Sequence, residues 1–522
     1  MPGLSDQAIA LFRQGVAALE AEDLHSAERI FGALAASHPR SNEVWNALSV
    51  AAIRAGQPDV AVERARRALE LDRRNPVYMN SLGVACGEQQ DYAAAEAHLR
   101  RALKLKPNYA EAAYNLGKAL HKQRRPGEAL KTMERAYAID PHCHGLPANL
   151  AELYLLHGEP ERARRVLAAM RGGLPQALAP LYAQCVAALE GFESAITWLR
   201  EQMGRRPDWQ GLSFTLSAFL LSCGHWREGW QRFVARPGMD RMRAGYHAAP
   251  LPERLDGQTV LLRNEQGLGD ILFFLRFAPL LKARGARVVA SCPAALVTLV
   301  ASAVDEVVDE TRSADTVPSD LRIWMGDLPA VLQTAETPRA LPLRADAARR
   351  DRLMARLSGL GPGPYVALTW RAGTDMVRTQ EFRQDYIRLS KEVPPQRLGE
   401  ALRGFPGTLL AVQRHPLDGE LAAVSAAAGM PVHDFCAANA NLTEMLALLD
   451  CVDDYVAVSN TNVHLHASLG RTGRVLVPQP PEWRWMHEGD ASPWFPGFTL
   501  YRQPVSREWS ATLSRLRGDL GL

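Results

Sequence analysis

The stretch LGVACGEQQDYAAAEAHLRRALKLKPNYAEAAYNLG, residues 82–117, decides the fold of the first half of the chain. It opens on Leu82-Gly83 and closes on Leu116-Gly117, 34 residues later. Ala95, Ala102 and Pro107 return at the same interval as Ala129, Ala136 and Pro141. One interval earlier Leu48, Ala61 and Ala68 are in register, and one earlier still Gly15, Ala27, Leu34 and Pro39. Leu150, Tyr154 and Ala163 continue the series forward. Gly and Ala fall where two helices must cross closely. Apolar residues at helical spacing form a buried stripe, and Pro ends the second helix. One such unit cannot bury its own apolar face, so the units must stack.

The spacing is that of the tetratricopeptide repeat, a helix–turn–helix unit of about 34 residues. It predicts an all-α solenoid over residues 1–236. Two degenerate units are expected at 176–209 and 210–236, the latter with Trp226, Trp230 and Phe233 as packing residues. Asn46, Asn80, Asn115 and Asn149 fall near the same point of four successive first helices, the face that lines the concave side of such arrays. Amides carry both a donor and an acceptor and can bracket an extended peptide, or they can bond within the array. The register is imperfect: the first two stand two residues before the repeat Leu, the last two one residue before it.

Composition narrows the class. The 522 residues are 47% hydrophobic and 22% charged, as in ordinary soluble domains. A net charge of +3 gives no field that draws nucleic acid or an anionic membrane. Seven scattered cysteines with no CxxC pair fit a reducing compartment. The first residues carry acids rather than a signal-peptide core, and no stretch reaches the ~18 apolar residues of a membrane span. A cytoplasmic protein without a membrane span is expected.

After Arg236 the texture changes. Residues 237–258 are rich in Pro, Gly and Arg and read as a linker. TVLLRNEQGLGD then gives a strand and a Gly-bearing turn, followed by the helix ILFFLRFAPLLKARG and the strand ARVVASC. The β-α-β-α order predicts a parallel, doubly wound sheet over 259–350. A second α/β unit over 351–522 starts with PYVALTWRAG, continues with the strands GTLLAVQ, DDYVAVS and GRVLVPQ, and closes on a C-terminal helix. Two such units place a cleft at the carboxyl ends of their strands.

The strand-end loops carry the candidate chemistry. In Glu265-Gln266-Gly267-Leu268-Gly269-Asp270 the glycines allow close backbone approach. Asp270 directly after Gly269 opposes a dinucleotide pyrophosphate and departs from the GxGxxG pattern. Its carboxylate can take a proton from an acceptor hydroxyl, or it can be a helix N-cap. Arg371, after the strand VALTW, and Lys391, before Pro394, can hold a phosphate-bearing donor or be solvated surface charges. Arg378, Arg383 and Arg388 share that ambiguity, in a polar segment, 374–392, that reads as a loop over the cleft. Ser459, Asn460, Thr461, Asn462 and His464 follow the strand YVAVS and open a helix whose N–H groups suit phosphate. His464 and His466 lack the i, i+4 spacing of a helical zinc pair, so no metal site is expected. Trp483, Trp485 and Trp494 can stack on a base or sugar, or pack in the core.

These blocks together resemble glycosyltransferase family 9, the ADP-heptose:lipopolysaccharide heptosyltransferase-like group, in the branch fused to tetratricopeptide repeats. EQGLGDILFFLRFAPLLKARGARVV, VALTWRAG, SNTNVHLHASLG and EWRWMHEGDASPWFP carry the likeness. The resemblance implies a GT-B fold of two Rossmann-like domains, with donor binding in the second. It implies metal-independent and usually inverting transfer from a nucleotide sugar, with no cofactor. Asp270 matches the family's proposed base and Lys391 its phosphate-holding residue. The family's Asp-Thr-x-x-x-His is only partly matched, with Ser459 and Asn460 replacing the acid and the Thr, and His464 kept. The repeat fusion is similar in architecture to eukaryotic O-GlcNAc transferase and to bacterial flagellin glycosyltransferases. The implied function is a glycosyltransferase acting on a protein acceptor held by the repeats, flagellin or another surface protein. A lipopolysaccharide or capsule transferase and a non-catalytic repeat scaffold are the alternatives. Oligomeric state is left open.

Overall fold

The structure, a computed structural model, describes residues 4–311, 316–372 and 391–522, with Gln210 described by its backbone alone. Arg378, Arg383 and Arg388 lie outside the described residues. The chain forms two compact units, Met1–Leu174 and Pro175–Leu522.

The first unit is an α-helical repeat array. Its second helices begin at Leu24, Pro58, Tyr92, Pro126 and Pro160, each 34 residues after the last. Proline suits the first helical position because its missing N–H has no partner there. Where proline is absent, Asp23 and Asp91 cap the helix by accepting from the N–H groups of Ser26 and Ala94. The repeat glycines sit where the sequence required closeness. A Cβ on Gly83 would lie 2.6 Å from Leu99 Cγ, and one on Gly117 2.5 Å from Met133 Cγ. Leu99 and Met133 are buried at these crossings; truncating either to Ala would cost about 2–5 kcal/mol.

The second unit starts with helices too. Ala179–Glu190 packs on Phe192–Arg205, and Ser213–Ser222 on Trp226–Phe233. These are the two degenerate units, and they belong with the α/β body rather than with the array. Aromatic packing explains this. Trp230, 1% exposed, makes edge contacts with Phe274, Phe277, Trp483 and Trp494. Residues 237–258 are not a free linker. The N–H groups of His247, Leu251 and Leu255 donate to the carbonyls of Arg322, Val331 and Arg284, and Leu251 and Leu255 enter the core. The abundance of Pro, Gly and Arg hid this, because single apolar anchors among them leave no periodicity to read.

Two parallel sheets follow. The first holds β1 (Thr259–Arg263), β2 (Arg287–Cys292), β3 (Glu306–Asp309) and β4 (Leu321–Trp324), in the order β3-β2-β1-β4. The second holds β5 (Tyr365–Thr369), β6 (Thr408–Ala411), β7 (Val432–Asp434), β8 (Asp454–Val458), β9 (Arg474–Val477) and β10 (Thr499–Arg502). Its order is β10-β9-β8-β5-β6-β7, every pairing parallel. The central strand β5 is buried along its whole length, as expected of a sheet covered on both faces. Each sheet reverses its winding once, between β1 and β4 and between β5 and β8. Such switch points are where open α/β sheets bind ligands. The helix Ala347–Ser358 spans the expected 350/351 boundary; Arg349 Nη1 donates to Glu444 Oε2 at 3.2 Å, tying it to the second sheet's helices. The C-terminal helix Ser510–Asp519 packs on the helix Pro395–Ala401.

Candidate functional site

The loop after β1 carries Asp270 as the third residue of the helix Leu268–Phe274. Its Oδ2 accepts from the Gly267 N–H at 3.2 Å, and its Oδ1 accepts from Arg484 Nη2. Asp270 therefore does cap the helix, but from inside the first turn, with Gly267 at the N-cap position. The glycines are explained by packing. Gly267 has φ of −75°, which any residue can adopt. A Cβ on Gly269 would lie 3.2 Å from His464 Cδ2 and 3.5 Å from Thr461 Cα. Gly269 lets this helix meet the helix Thr461–Ser468 from the second sheet. Gln266 braces the turn: its N–H donates to Asn264 Oδ1 and its Nε2 to Glu265 Oε1.

Asp270 is one end of a chain of alternating charges. Arg484 donates both to Asp270 and to Glu482 Oε1, and Lys391 Nζ donates to Glu482 Oε2 at 2.6 Å. Ser459 Oγ donates to the same Glu482 oxygen at 2.9 Å. Burial alone would raise the Glu482 carboxyl, but Lys391 and Arg484 outweigh it and hold it far below the usual carboxylate range. Burial likewise works against the Arg484 charge, and Asp270 and Glu482 push its pKa up instead. The middle of the chain is buried, whereas its end groups Asp270 and Lys391 keep 29% and 28% of their side-chain exposure. Glu482 and Arg484 were missed in the sequence, where the surrounding tryptophans drew the reading. The signal was there: Ser459 stands where the resemblance expects an acid, and Glu482 brings a carboxylate to it.

His464 lies beside this chain, fully buried. Burial, then Arg484 and Arg276, push it well below its usual pKa, so it is neutral. His466 is pushed down to about 4 by burial, and its Nε2 bonds to the Thr472 carbonyl at 3.0 Å. Asn460 caps the helix by accepting from the Val463 N–H, with its Nδ2 on Val458 O. Thr461 is the first helical residue, and Asn462 is buried, donating to Asn439 Oδ1 at 3.1 Å. Arg276, 2% exposed, stacks on Phe273 and Phe495 and donates to the carbonyls of Trp494 and Pro338.

Arg371 is not brought into this cluster by its side chain. Its guanidinium forks onto Glu420 at 3.2 and 3.1 Å and donates to His415 O. Trp483, Trp485 and Trp494 are core residues, at 9%, 1% and 0% exposure, so none presents a free face for stacking. In the array, Asn115 Nδ2 donates to Asn80 Oδ1 at 3.0 Å, and Asn149 Nδ2 to Tyr114 Oη at 3.0 Å. Asn46 keeps a buried, unpartnered Oδ1. The two bonded amides, Asn80 and Asn115, stand 35 residues apart rather than 34. Among the described residues, no group of His, Cys, Asp and Glu is placed to hold a metal ion, and no helix is long and apolar enough to cross a membrane.

Residues 12–76 and 80–142 match one tetratricopeptide repeat family description, and residues 120–189 match another. Protein FlbA of Caulobacter vibrioides is 24% identical over 96% of this chain and 88% of its own length. Among solved structures, PilF of Pseudomonas aeruginosa aligns with 39% of this chain and 93% of its own, at 22% identity and a TM-score of 0.34. PilW, described as a widely conserved type IV pilus biogenesis factor, aligns with 39% of this chain and 96% of its own, at 20% identity and a TM-score of 0.35. The chain thus carries tetratricopeptide repeats ahead of a second region built on parallel sheets.

Proposed function

We propose that the protein is a glycosyltransferase of GT-B architecture that moves a sugar from a nucleotide-activated donor to a protein acceptor. Asp270 takes the proton of the acceptor hydroxyl, and the freed oxygen attacks the anomeric carbon. The bond from that carbon to the donor phosphate breaks, the configuration inverts, and the nucleotide leaves with its phosphate charge facing Lys391. The repeats recruit the acceptor, flagellin or another surface protein, in the cytoplasm before export. No metal ion is required in this scheme.

One observation carries the reading. Loops from the switch points of two parallel sheets converge on a single charged cluster that runs from Asp270 to Lys391 and is open at both ends. The departure at Ser459 supports rather than weakens it, because Glu482 supplies the carboxylate that Ser459 lacks. The test is the intact mass of candidate acceptors co-expressed with the wild type and with Asp270→Asn. A sugar-sized mass increase that needs Asp270 supports transfer.

A second reading, a repeat scaffold with a non-catalytic α/β half, is favoured by a different observation. The charged side chains of the cluster pair with one another, and the Arg371 fork is taken by Glu420. A protein that binds no nucleotide and modifies no acceptor supports the scaffold.

A further inference from the structure

A second charged cluster lies behind the Asp270 turn. Arg236 follows the helix Trp226–Phe233, and its side chain is 5% exposed. Its Nε and Nη2 donate to Glu265 Oε1 at 3.0 and 2.5 Å, and its Nη1 donates to Asp327 Oδ1. Asp327, fully buried, also accepts from Arg243 Nη1 at 3.0 Å. Two arginines and two carboxyl groups thus meet in one buried group, in which Glu265 Oε2 is left without a partner among the described residues. Glu265 opens the turn after β1, and Asp327 ends the turn after β4. These are the two strands that flank the switch point of the first sheet. The group is packed without slack: a Cβ on Gly326 would lie 2.5 Å from Glu265 Oε1 and 2.9 Å from Arg236 Cζ.

From Glu265 the restraint passes along the turn. Glu265 Oε1 also accepts from Gln266 Nε2, Asn264 brackets Gln266 through both its amide groups, and Asp270 closes on the Gly267 N–H. Each of these bonds joins two residues within 264–270; the turn is anchored from outside by the Arg236 fork at Glu265 and by Arg484 at Asp270. An Arg fork is the side chain suited to that task. It is planar, permanently charged and able to engage two carboxylates at fixed angles, which a lysine cannot do.

We propose that Arg236 is the positioning residue of the Asp270 turn. It fixes the turn to the end of the last repeat-like helix through Glu265 and Asp327, so that helix and turn move together. Its catalytic consequence rests on the transferase reading; its mechanical content does not. The test is hydrogen–deuterium exchange on the full-length chain, comparing wild type, Arg236→Lys, Arg236→Gln and Glu265→Gln, with acceptor and donor kinetics in parallel. Exchange at amides 264–270 is expected to rise about tenfold or more in Arg236→Gln, less in Arg236→Lys, while β5 and β8 keep their protection. If the protein transfers sugar, kcat falls in the same order and the donor KM holds. Turn exchange that rises in Arg236→Gln, while the wild type shows no transferase activity, leaves the positioning role standing and removes only the transferase reading. Unchanged exchange at 264–270 in folded Arg236→Gln or Glu265→Gln overturns the positioning role, as does a rise spread evenly over residues 175–522.

Discussion

The two charged clusters of the second unit use the same residue types and differ in how they end. Around Arg236 the charges close on themselves: Arg236, Glu265 and Asp327 are at most 5% exposed, and only Arg243 reaches solvent. Around Glu482 the chain is open, with Asp270 and Lys391 both partly exposed. A closed buried cluster fixes geometry, and removing one member leaves an unpaired charge. An open one can exchange an internal partner for a ligand. On that difference rest the two proposals, a latch in one cluster and a site in the other.

Breaking each cluster in turn should separate these roles. The largest effect is expected from Asp270→Asn, which should cut transfer by about 10²–10⁴-fold, the usual loss on removing a general base, in a protein that still folds. Near-wild-type turnover would remove Asp270 from the chemistry. Next, Asp327→Asn in the closed cluster should destabilise the fold by about 3–5 kcal/mol, because two arginines lose a buried carboxylate. Chemical denaturation reads this; an unchanged midpoint would contradict the latch. Lys391→Ala should weaken donor binding by about 1.5–3 kcal/mol. Arg371→Ala should instead lower Tm, since it leaves the buried Glu420 without its fork.

A further effect is a pH dependence. His464 and His466 are neutral when folded, the latter with a pKa of about 4, against about 6.5 in an unfolded chain. Their folded pKa values are depressed, so their contribution to stability is complete above pH 6.5. It is lost as pH falls below that value, until the folded pKa is passed. Each should contribute up to about 1.4 kcal/mol per pH unit in that range. His466→Gln should flatten the decline in Tm between pH 6.5 and 4; a wild-type profile that is already flat there would contradict buried neutral histidines.

The helical half was legible because its signal is periodic. Gly83 against Leu99 and Gly117 against Met133 are contacts implied by a fixed interval, and the helix starts at Pro58, Pro126 and Pro160 repeat it. In the α/β half the strands buried on both faces were readable as apolar runs, whereas β4 (LRIW), β7 (VHD) and β10 (TLYR) mix polar residues into their three or four positions and carry little pattern. At the site, Asp270, Lys391, Ser459 and His464 were all singled out, and the fold brings them to one place. The pairing of Lys391 with Glu482 and of Asp270 with Arg484 spans 91 and 214 residues, and no local spacing encodes such contacts. The pairing of Arg371 was hidden for the same reason: its partner, Glu420, lies 49 residues on.

The central claim is that the open cluster receives a nucleotide-bearing donor. Calorimetric titration of the full-length protein with ADP, GDP, UDP and CDP, repeated with Lys391→Ala, tests it most directly. The account predicts that one nucleotide binds the wild type in preference to the others, and that Lys391→Ala weakens it by about tenfold or more, as loss of a charge-assisted phosphate contact should. Binding of none of the four at millimolar concentration, or equal binding by wild type and Lys391→Ala, would contradict it.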